Sequence, residues 1–230
     1  MKHDYRKIKV IAFDADDTLW VNETYYREAE EKFCKLLSSY ETANKLDQEL
    51  FKIEMQNLHL YGYGIKSFML SMVESALQVS NYQIDPKIID AILAIGKEML
   101  SKPLELLEGV EATLSVLKPK YKLVLATKGD LLDQERKLKK SNLENYFHHI
   151  EILSEKKQEN YKKLIAHLDI MPSEFLMVGN SLKSDILPLI EIGAQAIHIP
   201  FHTTWAYEQV DHNGEGYRSV SVLSDILKFF

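Results

Sequence analysis

The chain has a single cysteine, Cys34, in 230 residues, so it holds no intramolecular disulfide framework. In its amphipathic surroundings Cys34 reads as a small hydrophobe and not as a nucleophile. No apolar run approaches the length of a transmembrane helix. There is no internal repeat and no low-complexity linker. Nor is there an excess of positive charge: 28 Lys and Arg stand against 34 Asp and Glu, a net charge of −6, which gives no support to a nucleic-acid or membrane-surface partner. The small basic clusters Lys118–Lys122 and Arg136–Lys140 lie in mixed-charge surroundings and read as solvated faces. The eight histidines lack ligand spacing, which argues against a transition-metal site. The opening Met1–Lys7 shows no signal-peptide core, and the expectation is a cytoplasmic protein.

What is present is ordinary globular material. Hydrophobic residues make up 46% and charged residues 27%, enough to build a sizeable core in one large domain or one domain with an insertion. Two textures alternate along the chain. Apolar runs at Lys7–Phe13, Lys122–Ala126, His149–Leu153, Phe175–Val178 and Ala196–Ile199 read as buried strands. Helical stretches fall between them at Gly109–Leu117, Leu131–Lys140, Asn160–Leu168 and Ser184–Ile192. This alternation argues for an α/β fold with a doubly wound parallel sheet. From about Asn22 to Ser101 the spacing is helical throughout. Tyr25, Ala29, Phe33, Leu36 and Leu37 share one stripe, and the Tyr61-Gly62-Tyr63-Gly64 breaker separates two further helices. Asp85-Pro86 opens a fourth helix with a capping residue and proline at its first position. The expected organisation is an α/β core over 1–20 and 103–230 and an inserted all-helical cap over 21–102.

Residues 11–20, Ile-Ala-Phe-Asp-Ala-Asp-Asp-Thr-Leu-Trp, carry the sharpest chemical signal. The apolar run delivers Asp14 and Asp16 to its end, two residues apart and therefore on one side while strand geometry lasts. Two like charges so close need a cation or a shared proton. A turn cluster is the plain alternative. In an open parallel sheet, ligands bind beyond the carboxyl ends of the strands, and other strands end in matching chemistry: Thr127-Lys128 after one, Gly179-Asn180 leading to Asp185 after another, Lys156-Lys157 between them. Asp17 points away from Asp14 and reads as a turn residue; Thr18 reads as a lock on the loop.

These motifs resemble those of the haloacid dehalogenase-like hydrolase superfamily, in the phosphatase branch with a helical cap between the first and second motifs. Asp-x-Asp-x-Thr matches at Asp14, Asp16 and Thr18, the second motif at Thr127, and the third at Lys156, with Lys157 as the alternative. The fourth departs from the usual Gly-Asp, reading Gly179-Asn180 before Asp185. The resemblance implies a Rossmann-like core and Mg²⁺-dependent hydrolysis of a small phosphorylated metabolite through an aspartyl-phosphate. In that scheme Asp14 is the nucleophile and Asp16 the general acid and base. Thr127, Lys156 and Lys128 bind phosphate. Asp14, the carbonyl of Asp16, Asp185 and Asn180 hold the metal; Asn180, neutral where relatives place a carboxylate, either weakens that hold or tunes the site to a less charged ligand set. Candidate selectivity residues are Asn22, Tyr26, Arg27 and Tyr63, with Glu23, Tyr61 and Lys66 behind them. A cap of this kind would close over the site. The rival readings are a 2-haloacid dehalogenase, a phosphonate hydrolase, a phosphomutase, or a binding protein that has lost turnover. The oligomeric state is left open, and a monomer is compatible with the sequence.

Overall fold

The structure, a computed structural model, describes residues 5–212 and 214–230; Met1–Asp4, the first residues of the expected core, lie outside it. Five principal strands and a short sixth form one parallel sheet: β1 (Val10–Phe13), β2 (Lys122–Lys128), β3 (His149–Leu153), β4 (Phe175–Gly179), β5 (Gln195–His198) and β6 (Arg218–Ser219). Their order is β3-β2-β1-β4-β5-β6. This is the doubly wound arrangement, and the direction of winding reverses between β1 and β4. The register there, Phe13 beside Leu125 on one side and Val178 on the other, sets the ends of β1, β2 and β4 at one edge.

Strand alternation divides the apolar residues between two faces. Ile11, Phe13, Leu123, Leu125, Leu176 and Val178 pack with Val110, Leu114 and Leu117 of α5 (Val110–Leu117) and with Leu223 and Ile226. Val10, Ala12, Val124, Ala126, Phe175 and Met177 face the other way. They meet Tyr161, Leu164 and Ile165 of α7 (Gln158–His167) and Leu189 of α8 (Leu187–Glu191). Helix α6 (Leu131–Ser141) follows β2.

The helical unit has its own core. It comprises α1 (Glu23–Leu36), α2 (Ala43–Tyr61), α3 (Ile65–Val79) and α4 (Pro86–Ser101). Phe33, Leu37, Leu46, Leu50, Phe68, Met72, Ile92 and Met99 pack together inside it. The Asp85 carboxylate accepts the Lys87 amide at 2.9 Å, capping α4. Compactness groups Thr24–Pro103 with 129–135, and the other described residues with the α/β unit. Residues 21–23 belong to the α/β unit because Val21 donates to the Glu105 carbonyl and the Asp17 carboxylate accepts the Asn22 and Glu23 amides. No described helix is long and apolar enough to cross a membrane.

Three local differences from the sequence reading have physical causes. Residues 5–7 form a 3₁₀ turn, so β1 starts at Val10. The stretch after β4 is a π turn, Leu182–Ile186, before α8, with Pro188 unable to donate a backbone hydrogen bond and the Ser181 hydroxyl accepting the Ser184 amide. Strand β6 is too short and exposed to leave an alternating pattern.

Removing the Phe33 ring empties the middle of the helical core, and Phe33→Ala should cost about 3–5 kcal/mol. Denaturant melts of the full chain measure this, with loss of helical circular dichroism as the signal.

Candidate active site

Asp14 follows β1 immediately, and its amide donates to the Val178 carbonyl at 2.9 Å. The backbone therefore leaves the sheet at the point where winding reverses. Lys156 reaches the same point from the loop after β3. Its ammonium lies 2.5 Å from Asp14 Oδ1 and 2.7 Å from Asp185 Oδ1, with only 1% of its side chain exposed. Burial works against that charge, but the two carboxylates outweigh it and hold Lys156 well above the ordinary lysine range. Burial raises Asp14, and Lys156 offsets part of that rise. Lys157 is exposed and caps α7 instead.

The remaining polar groups support these three. Thr18 Oγ donates to Asp14 Oδ2 at 3.0 Å and lies 3.4 Å from Asn180 Oδ1. The Ser181 amide donates to Asp185 Oδ2 at 3.0 Å. A Cβ on Gly179 would run into the Asp185 carboxylate, so the close approach here requires glycine. The buried Tyr161 hydroxyl donates to the Ser184 carbonyl at 3.0 Å. Thr127 is buried near the end of β2, two residues past the Phe13–Leu125 pair. Asp14, Thr18, Lys156, Asn180 and Asp185 thus form one cluster.

Other candidates are held elsewhere. Lys128 Nζ lies 2.5 Å from Glu208 Oε1 and 2.9 Å from Ser184 Oγ. Glu208 Oε2 also accepts from the Ser181 and Ser184 hydroxyls at 2.5 and 2.6 Å. Asp17, at φ +61°, anchors the chain entering α1, and burial pushes its carboxyl up to about 8. Within the helical unit Tyr26 packs on Phe68 and Arg27 pairs with Glu30 at 2.8 Å. Tyr63 is half-buried between α2 and α3, and Lys66 pairs with Asp130 at 2.8 Å. Asn22 lies in the α/β unit, where its Oδ1 accepts from Lys137 at 2.7 Å.

Sequence reasoning missed Glu208, Ser181 and Ser184, together with Trp20 and Lys137, which both donate to Asp16 Oδ1 at 2.7 and 2.9 Å. Only Trp20, four residues from Asp16, left a local trace. Glu208 and Lys137 are distant in sequence from their partners.

The donor set suits a hard cation. Asp14, Asp185 and the Asn180 amide all offer oxygen, and two buried carboxylates share one ammonium, leaving negative charge to offset. Among the described residues no three His, Cys, Asp or Glu side chains gather as a metal group, so any cation here rests on two carboxylates and neutral oxygens.

Two buried carboxylates sharing one ammonium thus stand at the winding switch of a parallel sheet, the place where open α/β folds bind their ligands. Residues 8–193 match the haloacid dehalogenase-like hydrolase family, and the chain belongs to that family. It is 27% identical to rat (Rattus norvegicus) N-acylneuraminate-9-phosphatase, over 83% of this chain and 81% of that protein. It is 25% identical to the glyceraldehyde 3-phosphate phosphatase of Pyrococcus furiosus, over 84% and 80%. Its fold superposes on a haloacid dehalogenase-like hydrolase from Xanthomonas campestris with a TM-score of 0.86 and 36% identity, covering 97% of this chain and 91% of that one.

Glu208 and Lys128 are both largely buried, so Glu208→Ala leaves the ammonium without that carboxylate and should cost about 3–5 kcal/mol at neutral pH. Burial opposes the Glu208 charge, yet Lys128 and the two serines hold its carboxyl below the ordinary value of 4.5. A lowered folded value means that this stabilisation is complete above the ordinary value and lost as pH falls through the folded one. Melting temperature against pH should therefore fall less steeply on the acid side in Glu208→Gln than in the wild type.

Proposed function

We propose that the protein is a Mg²⁺-dependent phosphatase acting on a small phosphorylated metabolite. The reading is supported most by one observation: Lys156 ties Asp14 to Asp185 in a buried cluster. The phosphatase names of its relatives support the same chemistry. Asp14, Asp185, Asn180 and the Asp16 carbonyl would hold the ion. When bound, Mg²⁺ supplies positive charge that offsets the phosphoryl group.

The chain's own residues account for the remaining steps. Asp14 attacks phosphorus, the bond to the leaving oxygen breaks, and an aspartyl-phosphate forms. Asp16 gives its proton to the departing oxygen. Water then attacks the same phosphorus, Asp16 takes its proton back, and phosphate leaves with Asp14 restored. Lys156 stabilises charge on the transferring oxygens and Thr127 hydrogen-bonds them. Lys128, engaged by Glu208, acts on phosphate through its field and not as a direct ligand. Asn22, whose Oδ1 is held by Lys137, is proposed together with Tyr26, Arg27 and Tyr63 to choose the substrate.

The testing assay is hydrolysis of p-nitrophenyl phosphate. Turnover should require Mg²⁺, vanish in EDTA, and drop on the order of 10³-fold or more in Asp14→Asn. Turnover indifferent to Asp14 would overturn the reading. Asn180→Asp adds a carboxylate to the donor set and should lower the Mg²⁺ concentration giving half-maximal rate by roughly tenfold, because cation affinity rises with the charge of the ligands. An unchanged activation curve would show that Asn180 does not limit the site.

A further inference from the structure

We infer that Lys137 and Trp20 are positioning residues that fix which oxygen of Asp16 handles the proton, and that they do so most for poor leaving groups. The inference rests on the phosphatase reading above. Asp16 Oδ1 accepts the Trp20 indole N–H at 2.7 Å and the Lys137 ammonium at 2.9 Å. An O–H on that oxygen would face two donor hydrogens, so in this scheme the acid proton is carried on Oδ2.

Both donors are themselves fixed. The Trp20 ring is fully buried in the core beneath the sheet, packed with Phe13, Leu19 and Val178. Trp20 also brackets the motif loop, its carbonyl accepting the Asp17 amide at 2.7 Å. Lys137 projects from α6 and is shared with Asn22 Oδ1 at 2.7 Å, so the ammonium is held by two acceptors at once. Charge-assisted bonds of this length confine a carboxylate to one rotamer. A proton donor contributes only when its proton lies on the line to the departing oxygen. In the step itself, the Oδ2–H bond breaks while the phosphorus–oxygen bond of the ester breaks, and the new O–H forms on the leaving group. Later Oδ2 recovers a proton from the attacking water.

The signature of this arrangement is dependence on the leaving group. A nitrophenolate departs without protonation, whereas a more basic oxygen needs the proton, an effect of about 10²–10⁴ when complete. The test compares kcat/KM for p-nitrophenyl, phenyl and p-methoxyphenyl phosphate in the wild type, Lys137→Met and Trp20→Phe. Lys137→Met should change p-nitrophenyl phosphate by less than about threefold and the two poorer substrates by about tenfold more, steepening the slope against leaving-group basicity. Trp20→Phe keeps most of the ring volume and should steepen it in the same direction. Lys137→Arg, which restores a charged donor, should recover part of the loss.

An equal loss on all three esters, or none, overturns the inference while leaving the Asp14-dependent reading standing. Absence of Asp14-dependent turnover in the wild type overturns both. Circular dichroism of each variant separates misfolding from chemistry, and Lys137→Gln, a neutral donor, replaces Lys137→Met where the latter fails to fold.

Discussion

The Lys156 ammonium, closed between Asp14 and Asp185, is the contact on which the rest of the site depends. An isolated charge in this position would be lost to desolvation, and two carboxylates without it would repel. The three groups come from the ends of β1 and β4 and from the loop after β3, so only a sheet wound in two directions can bring them together. Thr18, the Ser181 amide and Tyr161 then hold the oxygens and the turn around them. The glycine at 179 follows from the same demand, because the Asp185 carboxylate lies against that backbone.

A second ion pair does different work. Glu208, in the loop after β5, collects Lys128 and the hydroxyls of Ser181 and Ser184. It links the end of β2 to the turn that carries Asp185. Lys128 is consequently spoken for within the protein. A positive charge remains near the cluster, but its ammonium is directed by Glu208.

Much of this was legible in the sequence, for identifiable reasons. Val10–Phe13 and Phe175–Gly179 are apolar without interruption because both faces of the sheet are covered. The helical unit announces itself through its stripe and through Asp85-Pro86. What failed was local or distant. The π turn at Leu182–Ile186 depends on the Ser181 cap and Pro188, and two-residue β6 has no periodicity to read. The partners of Asp16 and Lys128 lie 121 and 80 residues away, at Lys137 and Glu208, where one sequence gives no pairing signal.

The sequence by itself determined the alternating α/β order, the helical insertion, and the ordered set Asp14, Asp16, Thr127, a lysine at 156 or 157, and Asp185 at or beyond strand ends. These follow from periodicity and from short-range geometry, which a linear chain expresses directly. Tertiary structure alone decided that Lys156 and not Lys157 enters the cluster, that Lys128 turns to Glu208, and that Asp16 is gripped by Trp20 and Lys137. Those choices depend on burial and on charges meeting across folded space, where desolvation makes an unpartnered group costly, and no spacing along the chain encodes that meeting.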